Sequence, residues 1–425
     1  MNPAKSIKEL KQVFRFNDKY LDEENEKFFV NIYKKDMRKL EIDIEDSEIH
    51  YDTFFITGQS GNGKSTAVNQ LKKSSAVTDL YDIRHLFAND LFDFPDEVTI
   101  VDVLLMIGME LVAGNEKLEE VYLEKLQELK DINVGKLEKS FNTEIKDTDT
   151  KSAGLYASGE LGWLKVFKFG GSLKREFSDS EQNRTLLRKL FLPNRRELLN
   201  LVNDIIKKHN PKEEDKKLLL IIDDLEKKNL SKELFTRDKE LLEKIEVLKI
   251  VMIPVNYANS GKVYKLSLRL NKNPIKSDDI DIKPEENKKL LEELIYKRID
   301  ETCQDLIPKD DDILGKLIEF SGGNIRQLLR LISESALNSR YNDGEFISKD
   351  DVKAACQELL NLIAIGVNTR QSFLKYIEEK NIPDENEAEK FRESIADNSI
   401  FAYFNGQPWY EVNPVIKEYI KSIKN

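Results

Sequence analysis

Cysteine is all but missing from this chain. Cys303 and Cys356 are the only two in 425 residues. They lie far apart without metal-ligand spacing, which excludes a disulfide scaffold and a cysteine-based zinc site. Both are expected as reduced thiols of a cytoplasmic protein. Histidine is nearly as scarce: His50, His85 and His209 sit in unrelated contexts, and each is expected to be structural or superficial. Excess positive charge is lacking too. The formal net charge is −11 and the pI about 5.2, so no global field draws the chain onto nucleic acid or anionic membrane. No apolar run reaches membrane-spanning length. The most apolar stretch, Val98 to Ala113, carries Asp102 and Glu110 and reads as a buried helix. Residues 1–20 start polar and charged, without the apolar core of a signal peptide.

What is present starts at residue 58. Gly58-Gln59-Ser60-Gly61-Asn62-Gly63-Lys64-Ser65 fits G-x-x-x-x-G-K-[ST], the phosphate-binding loop of nucleotide triphosphatases. Its surroundings fit as well. Thr53 to Thr57 is a β-branched, apolar run of strand length, and Thr66 to Lys73 continues as a helix. Such a loop curls backbone N–H groups around phosphates, with the helix N-terminus adding positive potential. Lys64 is placed to reach the β/γ oxygens, and Ser65 to offer its hydroxyl to Mg²⁺.

A second acidic site lies downstream. Lys217 to Ile222 is an apolar strand that delivers Asp223-Asp224-Leu225-Glu226 at its end. Asp223 is the candidate Mg²⁺ carboxylate. Asp224 is the candidate base or water-orienting group, with Glu226 as runner-up. Asn256 follows another buried strand, Ile245 to Pro254, where it can orient a water or touch a γ-phosphate. Ser321-Gly322-Gly323-Asn324-Ile325-Arg326 caps a further helix, and Arg326 on its first turn can present a guanidinium to the phosphates.

Strands alternating with helices predict an α/β fold, a three-layer parallel sheet of phosphate-loop type. Residues 1–50 read as a helical lead-in, with a charged helix over 22–39. Residues 51–275 read as the nucleotide core, 276–345 as a helical lid and 346–425 as a winged-helix-like domain. The last is closed by a hairpin around Asn405-Gly406. Within the core, 115–210 reads as an insertion. A further hairpin is expected over 154–177, where Trp163, Phe167 and Phe169 suit an ordinary packed insertion or a docking surface.

The phosphate loop, the Asp-Asp strand, Asn256 and the SGGNIRQLLRLI helix together resemble AAA+ or STAND-type ATPases. The Gly-Gly-Asn-x-Arg run resembles the sensor-2 motif of archaeal and origin-recognition ATPases, and Asn256 matches sensor 1. The hairpin with Trp409-Tyr410, followed by Asn413-Pro414, resembles the winged-helix end of bacterial defence and signalling ATPases. The resemblance implies ATP with Mg²⁺ as cofactors and slow or fast hydrolysis. It also implies a switch that assembles with itself or controls an effector protein, in a setting such as bacterial signalling or antiviral defence. A DNA-binding ATPase of origin-recognition type is the alternative. It is weakened by residues 366–392, which carry about as many acids as bases. No arginine finger is singled out among Arg184, Arg188, Arg195, Arg237 and Arg269. A small-molecule kinase lacks a visible acceptor pocket.

Overall fold

The computed structural model describes residues 2–15, 23–47, 51–90, 97–129, 181–209, 216–227, 230, 233–257, 262–271, 284–308, 312–381, 387–405 and 407–422. Its centre is a sheet of five strands. These are β1 (Thr53–Thr57), β2 (Tyr81–Phe87), β3 (Lys217–Asp223), β4 (Leu248–Ile253) and β5 (Val263–Lys265). All pair parallel, in the order β2-β3-β4-β1-β5. Parallel sheets are covered on both faces, and this one is. Phe54, Ile56, Leu219, Ile221, Ile250 and Met252 point to one face, under helices 34–45 and 64–71. Phe55, Leu220, Ile222, Val251 and Ile253 point to the other, under helices 100–112 and 195–209. The three-layer α/β expectation is met.

Two of the longer helices start at a capping box. Thr99 and Asp102 form a capping box on helix Ile100–Val112, and Ser348 and Asp351 form another on Lys349–Thr369. The described flanks of the 115–210 segment are built into the main core. Tyr122 and Leu126 of helix 116–129, and Leu198, Val202 and Ile206 of Arg195–His209, pack with helix Ile100–Val112. Arg188 reaches buried Asp102 at 2.8 Å and Arg195 reaches buried Asp238 at 2.9 Å, so both arginines serve this core. The hairpin expected over 154–177 lies outside the described residues.

A second core joins distant segments. Helices Pro284–Tyr296, Ile313–Ser321 and Ile325–Tyr341 share it with Lys349–Thr369 and Gln371–Lys380. The hairpin of β6 (Ile400–Asn405) and β7 (Gln407–Val412) also joins it, as does helix Pro414–Ser422. Leu10 of the first helix, Ile7–Val13, and Phe14 just after it are buried in it too. Trp409 is fully buried, stacked on Tyr403 at 4.7 Å. Among the described residues no helix is long and apolar enough to cross a membrane.

Several boundaries differ from expectation. The charged lead-in helix runs over Lys34–Glu45, preceded by a 3₁₀ turn at Glu23–Phe28, instead of 22–39. Tyr33, Met37, Leu40 and Ile44 are its buried stripe, a spacing of four, three and four that places them on one face. Around Leu234, Phe235, Leu241 and Leu242 only Lys239–Glu243 is helical. Tyr264 to Leu270 alternates like a strand, but pairing is confined to Val263–Lys265. Helix Ala388–Ala396 and helix Pro414–Ser422 were not expected.

β4 carries an unusual residue. Lys249 is fully buried, and its ammonium donates to the Tyr51, Ile245 and Val247 carbonyls at 3.0, 2.9 and 3.1 Å. Burial pushes this ammonium down to about 7, opposed in part by the Glu243 and Asp52 carboxylates. From about pH 7 up to an unfolded lysine's value, the unfolded chain holds the proton and the folded chain does not. Stability from this group therefore rises with pH in that window, by about 1.4 kcal/mol per unit. Below about pH 7 both states are protonated and the slope vanishes. Lys249→Met should lose this rise, so urea unfolding at pH 7 and pH 9 should separate it from wild type by roughly 2–3 kcal/mol. Parallel pH profiles would rule the effect out.

Candidate functional site

Because the strands are parallel, β1, β3 and β4 end on one edge of the sheet. Three of the sequence-derived segments leave from there: the loop after Thr57, the acids after Ile222, and Asn256 after Ile253. Ligands of open parallel sheets bind at this edge. The loop of Gly58, Gln59, Ser60, Gly61, Asn62 and Gly63 leads into helix Lys64–Leu71, so Lys64, Ser65 and Thr66 form its first turn.

Lys64 is nine-tenths or more buried, which an ammonium tolerates only with partners. Its Nζ donates to the Gly58 carbonyl at 3.0 Å and the Gln59 carbonyl at 3.3 Å. It also pairs with Glu226 Oε1 at 3.2 Å, and both side chains are almost entirely enclosed. Asp223 is fully buried. Its Oδ1 accepts from the Asp224 N–H at 2.7 Å. Burial pushes its carboxyl up. The His85 imidazole, the Asp224 N–H and the Ser65 hydroxyl outweigh that and hold it below the usual carboxylate range. Successive strand residues point to opposite faces. Asp224 escapes this rule with a left-handed φ of 68°, a conformation aspartate tolerates better than most residues. The turn brings carboxylate oxygens of Asp223, Asp224 and Glu226 within 4.8 Å of one another. Asp223 Oδ2 and Glu226 Oε2 are buried without a hydrogen-bond donor. Hard oxygens grouped this way beside Ser65 fit Mg²⁺.

Asn256 stands exposed on the 3₁₀ turn Val255–Tyr257 beyond β4, against the Tyr257 hydroxyl. It is on the same edge, but no hydrogen bond joins it to the loop among the described residues. Arg326 is joined directly. Its guanidinium donates to Ser60 Oγ at 3.1 Å and its backbone N–H to the Gly61 carbonyl at 3.0 Å.

Sequence reasoning missed how many segments grip this loop. Asn324 caps helix Ile325–Tyr341 through its Oδ1 while its Nδ2 donates to the Ser60 carbonyl at 2.7 Å. Gln327, on that helix, exchanges two hydrogen bonds with Asn413, at 3.0 and 2.8 Å. Asn413 also donates to the Asn398 carbonyl at 2.9 Å. Asn398 Oδ1 in turn accepts from Gln59 Nε2 at 2.8 Å, as does the Ile395 carbonyl. The chain of amides closes on itself through the loop: Gln59, Asn398, Asn413, Gln327, Asn324, Ser60. Tyr33 of the lead-in adds a hydroxyl to the Asn62 carbonyl at 2.8 Å. The one legible signal was the Gly-Gly-Asn run itself. Gly61 and Gly323 explain it. Both have positive φ. A Cβ on Gly61 would stand 2.7 Å from the Arg326 Cβ, and one on Gly323 2.0 Å from the Leu268 carbonyl oxygen. Only glycine lets the three backbones approach this closely.

No family model and no curated protein sequence matches the chain. Solved structures are similar to it at low identity. The crystal structure of Cdc6p from Pyrobaculum aerophilum is 12% identical, with 98% of this chain and 99% of that one covered, at a TM-score of 0.42. Drosophila ORC bound to DNA is 10% identical, with 98% and 91% covered, at 0.41. The Aeropyrum pernix ORC2 protein in its ADPNP-ADP complexes is 11% identical, with 97% and 98% covered, at 0.39.

The buried Lys64–Glu226 pair makes a prediction. Glu226→Gln leaves the ammonium with carbonyls only, at a cost of about 3–5 kcal/mol for an uncompensated buried charge. The ligand-free melting temperature should fall, and the upward shift on adding ATP should exceed that of wild type. An unchanged ligand-free melting temperature would mean the two carbonyls suffice.

Proposed function

We propose that this chain is an ATP-binding and ATP-hydrolysing molecular switch of AAA+ or STAND type, in which the loop at 58–65 sets the posture of the segments bonded to it. The observation that carries the reading is the amide ring. It ties the phosphate loop to the cap of helix Ile325–Tyr341 and to the turn before β6. A loop that only held substrate would not need its side chains committed to two distant segments.

In this reading Lys64 exchanges Glu226 for the β/γ-phosphates. The backbone of Gly58 to Thr66 cradles the phosphates at the helix N-terminus. Ser65 and Asp223 hold Mg²⁺, which neutralises charge on the transferred phosphoryl group when bound. Asp224 orients or deprotonates the attacking water, and Glu226, once released by Lys64, is the second candidate. Asn256 approaches from β4. Arg326, already at Ser60, reads the γ-phosphate. Loss of its Ser60 bond would loosen Gly61, and with it the ring. The chain would then expose or cover surface for a second copy of itself or an effector protein. Bacterial signalling or antiviral defence suits such a device.

A DNA-binding role of origin-recognition type is the second reading. The C-terminal hairpin argues against it, because Tyr403 and Trp409 are buried and the segment before it carries about as many acids as bases. DNA affinity falling steeply with added salt would restore it.

Mass by light scattering with ATP, with ADP and without nucleotide tests the switch. Wild type is expected to change assembly state with ATP. Lys64→Ala should lose both that change and the ATP-induced melting shift. Asp224→Asn should bind ATP and stay locked in the ATP state; retained turnover would pass the base role to Glu226. Arg326→Ala should bind ATP with a melting shift cut at least by half. A wild type that keeps one mass and one melting temperature in all three conditions would sink the proposal.

A further inference from the structure

His85 has no place in the motif reading, yet it lies beside the most buried acid of the site. β2 and β3 pair in register with His85 opposite Ile221 and Phe87 opposite Asp223. Side chains alternate along a strand, so His85, Phe87, Ile221 and Asp223 share one face, the face under helix Lys64–Leu71. That layer is otherwise apolar, with Ile83, Leu219 and Ile221. An imidazole there costs free energy unless its nitrogens are used.

Both face a partner. Lys72, the residue that ends the phosphate-loop helix, brings its Nζ to 3.2 Å from His85 Nδ1. An ammonium can only donate, so Nδ1 accepts and the ring proton belongs on Nε2. His85 Nε2 faces Asp223 Oδ2 at 3.4 Å, a close contact short of a formed hydrogen bond, with the two side chains 5% and 0% exposed. The ring plane is fixed by stacking on Phe87, at 4.1 Å and 28°. The other oxygen of Asp223 is taken by the Asp224 N–H, and the nearby Ser65 hydroxyl helps keep this carboxylate ionised. A circuit results: Ser65 at the start of the helix, Asp223, His85, and Lys72 at its end.

We infer that His85 is a positioning residue that aims the Asp223 carboxylate at the Mg²⁺ of the nucleotide site, with Lys72 fixing its tautomer. The inference rests on the reading of Asp223 as a Mg²⁺ carboxylate. Oriented ligand carboxylates are generally held by such outer partners, and losing one costs metal affinity about 10–100-fold. His85 touches neither nucleotide nor metal, so its loss should leave metal-free nucleotide binding intact.

Mn²⁺ titration of the full-length protein, followed by electron paramagnetic resonance with ADP present, tests this. Nucleotide affinity in EDTA is measured alongside. His85→Ala is expected to raise the Mn²⁺ half-saturation about 10–100-fold, with EDTA affinity within about twofold of wild type. His85→Gln, whose amide N–H can face Asp223 in place of Nε2, should recover most of the loss. Lys72→Met should shift it the same way by a few-fold. It carries the test if His85→Ala does not fold. Unchanged Mn²⁺ half-saturation in His85→Ala, or in Lys72→Met where that stands in for it, overturns the inference. Equal losses in EDTA overturn it too, because they would make the role structural. A wild type that binds nucleotide but no Mn²⁺ overturns the Mg²⁺ reading of Asp223 itself, a result distinct from either.

Discussion

A glycine-rich loop has almost no side chain to bury and cannot hold its own shape. Here its shape is supplied by hydrogen bonds from elsewhere, and the rest of the site depends on them. Asn324, Arg326 and Tyr33 fix three consecutive carbonyls and one hydroxyl of the loop. The donors come from the lead-in and from the segment after Gly323, while Gln59 of the loop donates in turn to Ile395 and Asn398 just before the C-terminal hairpin. Amide side chains suit this work because each can donate and accept at once. Networks of this kind are favourable when fully satisfied and costly when one member is removed. The ring is therefore cooperative by construction.

The charges obey a related constraint. Lys64, Asp223, Asp224 and Glu226 are all largely removed from water, where an isolated ion would be prohibitively costly. They survive by neutralising and orienting one another. The Asp224 backbone turn, the His85 ring and the Lys64–Glu226 contact are three different solutions to that same requirement. Arg188 with Asp102, and Lys249 among carbonyls, show the rule operating away from the site.

How much of this was legible follows from distance along the chain. Gly58 to Ser65 and Asp223-Asp224 were readable because motif and flanking strand are contiguous. Asn324 and Arg326 were readable because their glycines precede them. Tyr33, His85, Asn398 and Asn413 were not, since each matters only through a residue far away in sequence. His85 looked like any isolated histidine until the β2–β3 register set it beside Asp223. The lead-in helix was expected too early because Phe28 and Phe29, which precede it, line up in sequence with Ile32 and Tyr33. Its true stripe begins at Tyr33 and ends at Ile44, over a polar face that hides the period. The short pairing of β5 was also unreadable. Tyr264 to Leu270 alternates like a strand, but from Leu266 onward the chain turns its carbonyls to the loop and to Asn287 rather than to a neighbouring strand.

The burial of Ile7–Val13 against the second core has a consequence for synthesis. Ala4 hydrogen-bonds both ways with residues 298 and 300, and Leu10 and Phe14 pack among Leu291, Leu328 and Ile332. These partners lie almost three hundred residues downstream. Contacts of such high sequence separation form late, because the loop they close is costly in entropy. The sheet can assemble from residues 53–265 while this first helix still lacks its site. An amphipathic helix is thus held in waiting until the C-terminal third of the chain has been made, and its docking reports that the second core is complete.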